Sequence, residues 1–580
     1  MIRCYASDTI QRLGERLVRL YPNHDRDDLL RRLLLLDGRY GVGSNPGVAN
    51  ELWDETDSVL ITYGDSIRKT GEMPLETLKR FADDFLHDAF STIHVLPFFP
   101  FSSDDGFSVM DYRMVRPDLG DWRHLQSLGE NFHLMYDLVL NHASRQGDWF
   151  KQYTLDVAPF RDYFVEADPD KDYSMVVRPR NLPLLSAVNK QGERKHVWTT
   201  FSRDQVDLDF RNPDVLFEFL DVLSFYLSRG ARILRLDAIA YLWKEVGTSC
   251  IHLPQTHELV KLLRDFVTMI EPRTIILTET NVPHEENIAY FGHGDEAHMI
   301  YQFSLPPLIL HALQTGNGRY LTAWARGLPE PPPGCTFLNF TASHDGIGVR
   351  PLKGLIPDDE LDAVVHGVTE RGGLVSMKAN TDGSESPYEL NITWFDALSD
   401  PQNPDRDLQI RRVLCSQAIM MAMKGIPAVY IHSLTATPND LKGVKESGRA
   451  RSINRRMWAD TELRHLLGDE TSVQAAVFPE MVRMLTLRSR ETAFHPDSAQ
   501  KIQETVPGCF AVRRTSRDGM CNILSLHNLT ASVLTIPLAH QDLFESIGGT
   551  DLISGEAVSS EATEVKLAPY QVRWMRMNYA

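Results

Sequence analysis

Three carboxylates in this 580-residue chain each close a short apolar run. Asp237 ends Ala231–Asp237 (ARILRLD), Glu279 ends Thr274–Glu279 (TIILTE) and Asp345 ends Cys335–Asp345 (CTFLNFTASHD). One such residue is ordinarily a helix cap. Three at the ends of parallel strands would converge on one spot, where mutual repulsion costs stability. Two chemistries give such a cluster a purpose. One is metal binding; the other is glycosyl transfer through an oxocarbenium-like transition state, with one carboxylate attacking and another donating a proton. Arg235, two positions before Asp237, is placed to keep that carboxylate ionised, whereas an acid at Glu279 needs a raised pKa. His344 precedes Asp345, and Asp137, Asn141 and His142 close a further run, Leu134–His142 (LMYDLVLNH).

The elements that must position these residues are visible as eight apolar runs. Besides the four named, they are Ser58–Asp65, Thr92–Phe98, His298–Phe303 and Ile426–His432. Helical patterning separates most of them, as in Val215–Leu227 and His257–Met269. Near-continuous apolar strands alternating with helices predict a parallel sheet buried on both faces, and eight such units predict a closed (β/α)8 TIM barrel. In that fold the active site lies at the C-terminal strand ends, where the carboxylates fall. No GxGxxG sequence opens a helix, which argues against a dinucleotide-binding sheet. The predicted organisation has a helical N-terminal extension over 1–54 and a catalytic barrel over 55–497. Insertions follow strand 3 (about 143–210) and strand 7 (about 346–405). A β-sandwich-like domain of short alternating strands closes the chain over 498–580.

Composition is that of an ordinary globular protein, 43% hydrophobic and 24% charged. The net charge of −18 argues against general affinity for nucleic acid or anionic membrane. The six cysteines (Cys4, Cys250, Cys335, Cys415, Cys509, Cys521) are scattered, with no CxxC pair, so neither a zinc knuckle nor a disulfide framework is expected. The N-terminal residues carry no secretory apolar region. The run Leu33–Leu36 is one helical turn and cannot span a bilayer, so a cytoplasmic location is expected.

RLDA (Arg235–Ala238), the Glu of TETN (Glu279), SHDG (Ser343–Gly346) and DLVLNH (Asp137–His142) stand in one order along the chain. Together they resemble the four signature regions of the α-amylase superfamily, a likeness that runs from about residue 55 to the end. The resemblance implies Asp237 as nucleophile, forming a covalent β-glucosyl intermediate. It implies Glu279 as acid/base and Asp345 as the carboxylate that orients sugar hydroxyls and stabilises the distorted transition state. His142 and His344 would hydrogen-bond the glucose.

Within that superfamily the chain resembles the sucrose phosphorylase branch. In Leu96–Tyr112 (LPFFPFSSDDGFSVMDY), Asp104 and Phe107 match its glucose-binding Asp and aromatic platform. Arg451 in RSINR matches the Arg that pairs with that Asp. Arg178 and Arg180, in RPRNLPL, match its phosphate-handling loop, in keeping with guanidinium binding to oxyanions. Tyr388 and Glu389, in PYE, match a mobile loop that reshapes the acceptor site. The chain departs from sucrose phosphorylases after Glu279, where Thr280 and Asn281 replace a hydrophobic residue and a His. These residues, the N-terminal extension, SSDDGFSV and GTSCIHLP resemble the glucosylglycerate phosphorylases. That implies reversible phosphorolysis of 2-O-α-glucosylglycerate to α-glucose 1-phosphate and glycerate, so the acceptor is anionic and needs basic residues, for which His284 and Lys378 are candidates. Sucrose, sucrose 6′-phosphate and glucosylglycerol phosphorylases are the alternatives, followed by an α-glucosidase or transglucosidase. An inactive amylase-like binding subunit ranks low, because all three carboxylates are present. Asn141 sits where calcium-dependent amylases place a ligand, but no acidic cluster completes an oxygen shell, and no metal or cofactor is expected. The expected partners are a small-molecule glucoside and inorganic phosphate.

Overall fold

The structure, a computed structural model, describes residues 7–42, 51–180, 182–379, 384–537, 548–559 and 562–577. Cys4 and residues 380–383 of the Gly/Ser/Asn-rich stretch lie outside these, as do the corresponding parts of the two terminal regions.

Eight parallel strands close a barrel in chain order. They are β1 (Val59–Thr62), β2 (Thr92–Val95), β3 (His133–Val139), β4 (Ala231–Asp237), β5 (Ile275–Thr278), β6 (Met299–Tyr301), β7 (Thr336–Phe340) and β8 (Ile426–Tyr430), with β8 pairing back onto β1. Each of the eight apolar runs supplies one strand. The strands are buried almost throughout, as expected where side chains fill the barrel on one face and helices cover the other. The helix before β4, Pro213–Ser228, shows how local sequence sets the alternation. Asn212 caps it by accepting from the Asp214 N–H, Pro213 opens it, and Gly230 (φ +93°) turns the chain into β4.

The N-terminal extension is part of this packing. Helix α1 (Ser7–Leu20) buries Leu13, Leu17 and Leu20, the spacing read as helical. Its Arg16, buried with them, pairs with Asp265 (2.6 Å) and Glu258 (3.1 Å) on the barrel helix Pro254–Ile270. After β3 the chain forms an antiparallel pair, His142–Ser144 with Gln205–Asp207, and a hairpin of Leu185–Lys190 with Glu193–Trp198. After β7 it forms a three-stranded antiparallel sheet of Ile347–Gly348, Glu385–Asn391 and Leu374–Ala379, beside the helix Asp358–Glu370. The C-terminal region holds a six-stranded sheet and a two-stranded one around a small core that includes Leu524, Ile536, Leu567 and Met575. Among the described residues the cysteines are unpaired, and no helix is long and apolar enough to cross a membrane.

Candidate active site

Strand register assembles the first part of the site. Asp137 on β3 lies opposite Arg235 on β4, and Val139 opposite Asp237. One guanidinium nitrogen of Arg235, Nη1, reaches Asp137 Oδ1 at 2.5 Å and Asp237 Oδ1 at 2.9 Å. The other Asp137 oxygen lies 2.7 Å from His94 Nε2. Asp137 is thus completely buried and satisfied within the barrel, and it aims Arg235 at Asp237. The chain leaves β4 through Ala238, which adopts the left-handed conformation (φ +50°). For a residue with a Cβ this costs about 1–2 kcal/mol, a strain typical of functional turns. The turn points the Ala238 N–H at Glu279 Oε2, 2.9 Å away at the end of β5. Burial pushes both carboxyls upward, the charge of Glu279 adding to the effect on Asp237 and that of Asp345 to the effect on Glu279. The Arg235 contact favours placing the charge on Asp237 and the proton on Glu279.

Asp345 is built differently. Arg451 Nη1 lies 2.5 Å from it, and the same guanidinium holds Glu389 through Nε (2.9 Å) and Nη2 (2.6 Å). Glu389 also accepts from the Gly346 N–H at 2.8 Å. Asn454 Nδ2 donates to the Ser343 and Asp345 carbonyls and Arg455 Nε to that of His344, so the RSINR segment straps down the loop after β7. Arg451, with His344 and Arg455, outweighs burial and holds the Asp345 carboxyl far below the usual range. Burial lowers His344 to about 3, leaving it neutral.

The side of the pocket formed by the segment after β2 rests on a strained turn. Asp104, Asp105 and Gly106 have φ of +55°, +49° and +111°, and a Cβ on Gly106 would meet the Pro97 carbonyl oxygen at 2.7 Å. The turn presents the ring of Phe107, stacked on His344 with centroids 5.0 Å apart. Asp104 pairs with Arg180 (3.2 Å) and accepts from Gln205 Nε2 (3.1 Å). This corrects the expected Asp104–Arg451 pair, since the nitrogens of Arg451 are taken by Asp345 and Glu389. His142, expected to hydrogen-bond glucose, lines the cavity and also has a structural role. Its Nε2–H donates to the Phe107 carbonyl at 2.8 Å and its Nδ1 accepts from Asn141 Nδ2, so it holds the aromatic platform.

The structure brings Asp104, Phe107, His142, Arg180, Arg235, Asp237, Glu279, Asn281, His344, Asp345, Tyr388 and Arg451 around one cavity at the C-terminal ends of the barrel strands. Arg178 is not on its wall. Glu389, read as part of a mobile acceptor loop, is buried behind Asp345. His284 packs on Trp324, ring centroids 5.9 Å apart, away from the cavity. Sequence reasoning missed Phe201 and Gln205, which line the wall from the insertion after β3; a lone Phe or Gln on a loop carries no signal. It also missed Lys244, whose buried ammonium lies 2.5 Å from Asn141 Oδ1 and 2.7 Å from Asp207 Oδ2. Asn141, weighed as a metal ligand, thus has a cation of the chain itself beside it. Among the described residues no group of three or more His, Cys, Asp or Glu is placed to hold a metal ion.

The family profile described as "Alpha amylase, catalytic domain" matches residues 84–324. A glucosylglycerate phosphorylase of Escherichia coli (strain K12) is 45% identical over 526 residues, covering 90% of this chain and 92% of that one. Another, of Spirochaeta thermophila, is 42% identical and covers 98% of this chain and 99% of its own length. Among solved structures, the sucrose 6F-phosphate phosphorylase from Thermoanaerobacter thermosaccharolyticum superposes with a TM-score of 0.72 at 25% identity, over 89% of this chain and 98% of that one. An identity of this size across nine-tenths of the sequence, on a barrel whose strand ends carry the superfamily's carboxylates, has one meaning: the chain belongs to the glucosylglycerate phosphorylase family of the α-amylase superfamily, and it is a glucoside phosphorylase.

Proposed function

We propose that the protein interconverts 2-O-α-glucosylglycerate plus phosphate with α-glucose 1-phosphate plus glycerate, through two displacements at the anomeric carbon. The observation that carries the donor half is Arg235 bound to Asp237, with the Ala238 N–H fixing Glu279 beside it. Asp237 attacks C1 from the β face while Glu279 gives its proton to the departing glycerate oxygen, leaving a β-glucosyl ester on Asp237 and an ionised Glu279. A phosphate oxygen then attacks C1 from the α face and its proton passes to Glu279. The ester bond breaks, which restores both carboxyls. Asp345, held by Arg451, binds sugar hydroxyls as the ring flattens, and Phe107 packs on the ring. Arg180, at the wall, is the candidate for phosphate, with Arg178 of the same segment as the second; Tyr388 and Asn281 face the acceptor.

Glycerate as acceptor rests on the relatives, whose names specify it, and on Thr280–Asn281 following Glu279. The sequence of steps uses side chains only, so phosphate is a substrate and no cofactor enters the proposal. We place the reaction in the cytoplasm, where phosphate and phosphorylated sugars are held. The test is phosphate release from α-glucose 1-phosphate with glycerate, fructose, fructose 6-phosphate or glycerol supplied singly. Release with glycerate alone supports the reading, and release only with fructose overturns it. Free glucose from glucosides, with no dependence on phosphate, would indicate a hydrolase.

A further inference from the structure

A glycerate acceptor brings a carboxylate to the Glu279 side of the cavity, because the proton donor faces the departing oxygen. The cations described so far serve other groups: Arg235 binds Asp137 and Asp237, Arg451 binds Asp345 and Glu389, and Arg180 binds Asp104. Arg350 differs. It opens the single turn Arg350–Leu352, two positions after Gly348; Ile347 and Gly348 line the cavity, and Arg350 itself is not on its wall. The Val349 N–H donates to the Tyr388 carbonyl (3.2 Å), and the Ser304 hydroxyl donates to the Pro351 carbonyl (3.2 Å). Arg350 is therefore pinned between the acceptor-side strand and the loop after β6. Its Nη1 is buried and has no hydrogen-bond partner. The guanidinium lies against the Tyr241 hydroxyl, and that hydroxyl is within electrostatic reach of Glu279. Tyr388, on the cavity wall, is likewise within reach of Arg350.

Two further cations share this corner. Lys378, on the strand Leu374–Ala379, and Lys353 lie within electrostatic reach of each other, and Lys378 within reach of Arg350. Burial and this like-charge company lower Lys378 below the ordinary lysine range. A buried unpaired guanidinium N–H and a partly desolvated lysine are both unfavourable in the free enzyme. An oxyanion relieves both, and guanidinium geometry suits a carboxylate.

We infer that Arg350, backed by Lys378, is the specificity-determining residue that receives the carboxylate of the acceptor. This rests on the glycerate reading. The test compares kcat/KM for glycerate with that for glycerol, each with α-glucose 1-phosphate as donor, in wild type, Arg350→Gln, Arg350→Lys and Lys378→Met. Loss of a charge-assisted contact should reduce the glycerate-to-glycerol ratio about 30-fold in Arg350→Gln, with smaller reductions in Arg350→Lys and Lys378→Met. The ratio is internal to each variant, so general loss of activity cancels. Should Arg350→Gln fail to fold, Arg350→Lys and Lys378→Met decide, and unchanged ratios in both overturn the inference. A wild type that does not prefer glycerate overturns the functional reading and this inference with it. A wild type that prefers glycerate, with an Arg350→Gln ratio within about twofold of it, overturns this inference alone. A raised KM for phosphate with the ratio unchanged also overturns it, assigning Arg350 to the phosphate instead.

Discussion

Replacing Arg451 with Met removes the cation that three contacts place between Asp345 and Glu389. Removing one partner of a buried ion pair costs about 3–5 kcal/mol, because the remaining charge is left unpaired. Glu389 is nearly inaccessible, at 3% exposure, and keeps only its bond from the Gly346 N–H. Asp345 keeps only Arg455, at 3.8 Å, and His344, at 3.5 Å. One of the three contacts faces Asp345, so roughly a third of the loss, about 1–1.7 kcal/mol, falls on the group proposed to meet the sugar. That corresponds to a drop in kcat/KM of about five- to eighteenfold, and to about a thousandfold if the whole loss is felt in the transition state. The pH dependence has a definite sign. Arg451 holds the Asp345 pKa below its unfolded value, so the stability it contributes is complete above that value and disappears as pH falls through the folded one. The deficit of Arg451→Met in denaturant unfolding should therefore be largest at neutral pH and shrink below about pH 4. The assays are phosphate release with α-glucose 1-phosphate and glycerate, and urea unfolding at both pH values. A kcat/KM within about threefold of wild type, or a stability deficit that grows on acidification, would refute the reasoning.

Other outcomes follow from the same geometry. Glu279→Gln should lower phosphorolysis of the glucoside by at least about a thousandfold yet spare glucosylation by α-glucosyl fluoride, whose leaving group needs no proton. Activity should fall as pH rises through the elevated pKa of Glu279, and with the fluoride as donor this alkaline limb should be absent from the Glu279→Gln profile. Lys244→Met leaves the fully buried Asp207 and Asn141 without their cation, which should cost about 3–5 kcal/mol in urea unfolding; a loss below about 1 kcal/mol would contradict the pairing.

What was legible in the sequence depended on chemistry that repeats locally. The strands announce themselves because each is an apolar run buried on both faces, and the carboxylates announce themselves by closing those runs. Helix α1 was legible from Leu13, Leu17 and Leu20 at helical spacing. Partner choice was not. Arg451 could in principle reach Asp104, Asp345 or Glu389, which come from the loops after β2 and β7 and from the inserted sheet. Only their arrangement in space shows that two carboxylates take the guanidinium and that Arg180 takes the third. His142 was recognised as a site residue, but its tautomer is fixed by the Phe107 carbonyl and Asn141, which sequence spacing does not reveal. Lys244 and Arg350 carry no motif. One is notable for the buried oxygens around it and the other for a buried Nη1 without a hydrogen bond, and both properties exist only in the folded chain.

The central claim is that the glucosyl group rests covalently on Asp237, and trapping it is the most direct test. Glu279→Gln enzyme supplied with α-glucosyl fluoride, and no phosphate or glycerate, should accumulate the ester because its breakdown lacks a base. Rapid acid quenching, intact-mass measurement and peptide mapping should find one glucosyl residue on the peptide that contains Asp237, and none in the Glu279→Gln, Asp237→Asn double variant. An adduct on another carboxylate, or turnover of the fluoride with no adduct and inverted product, would contradict the account.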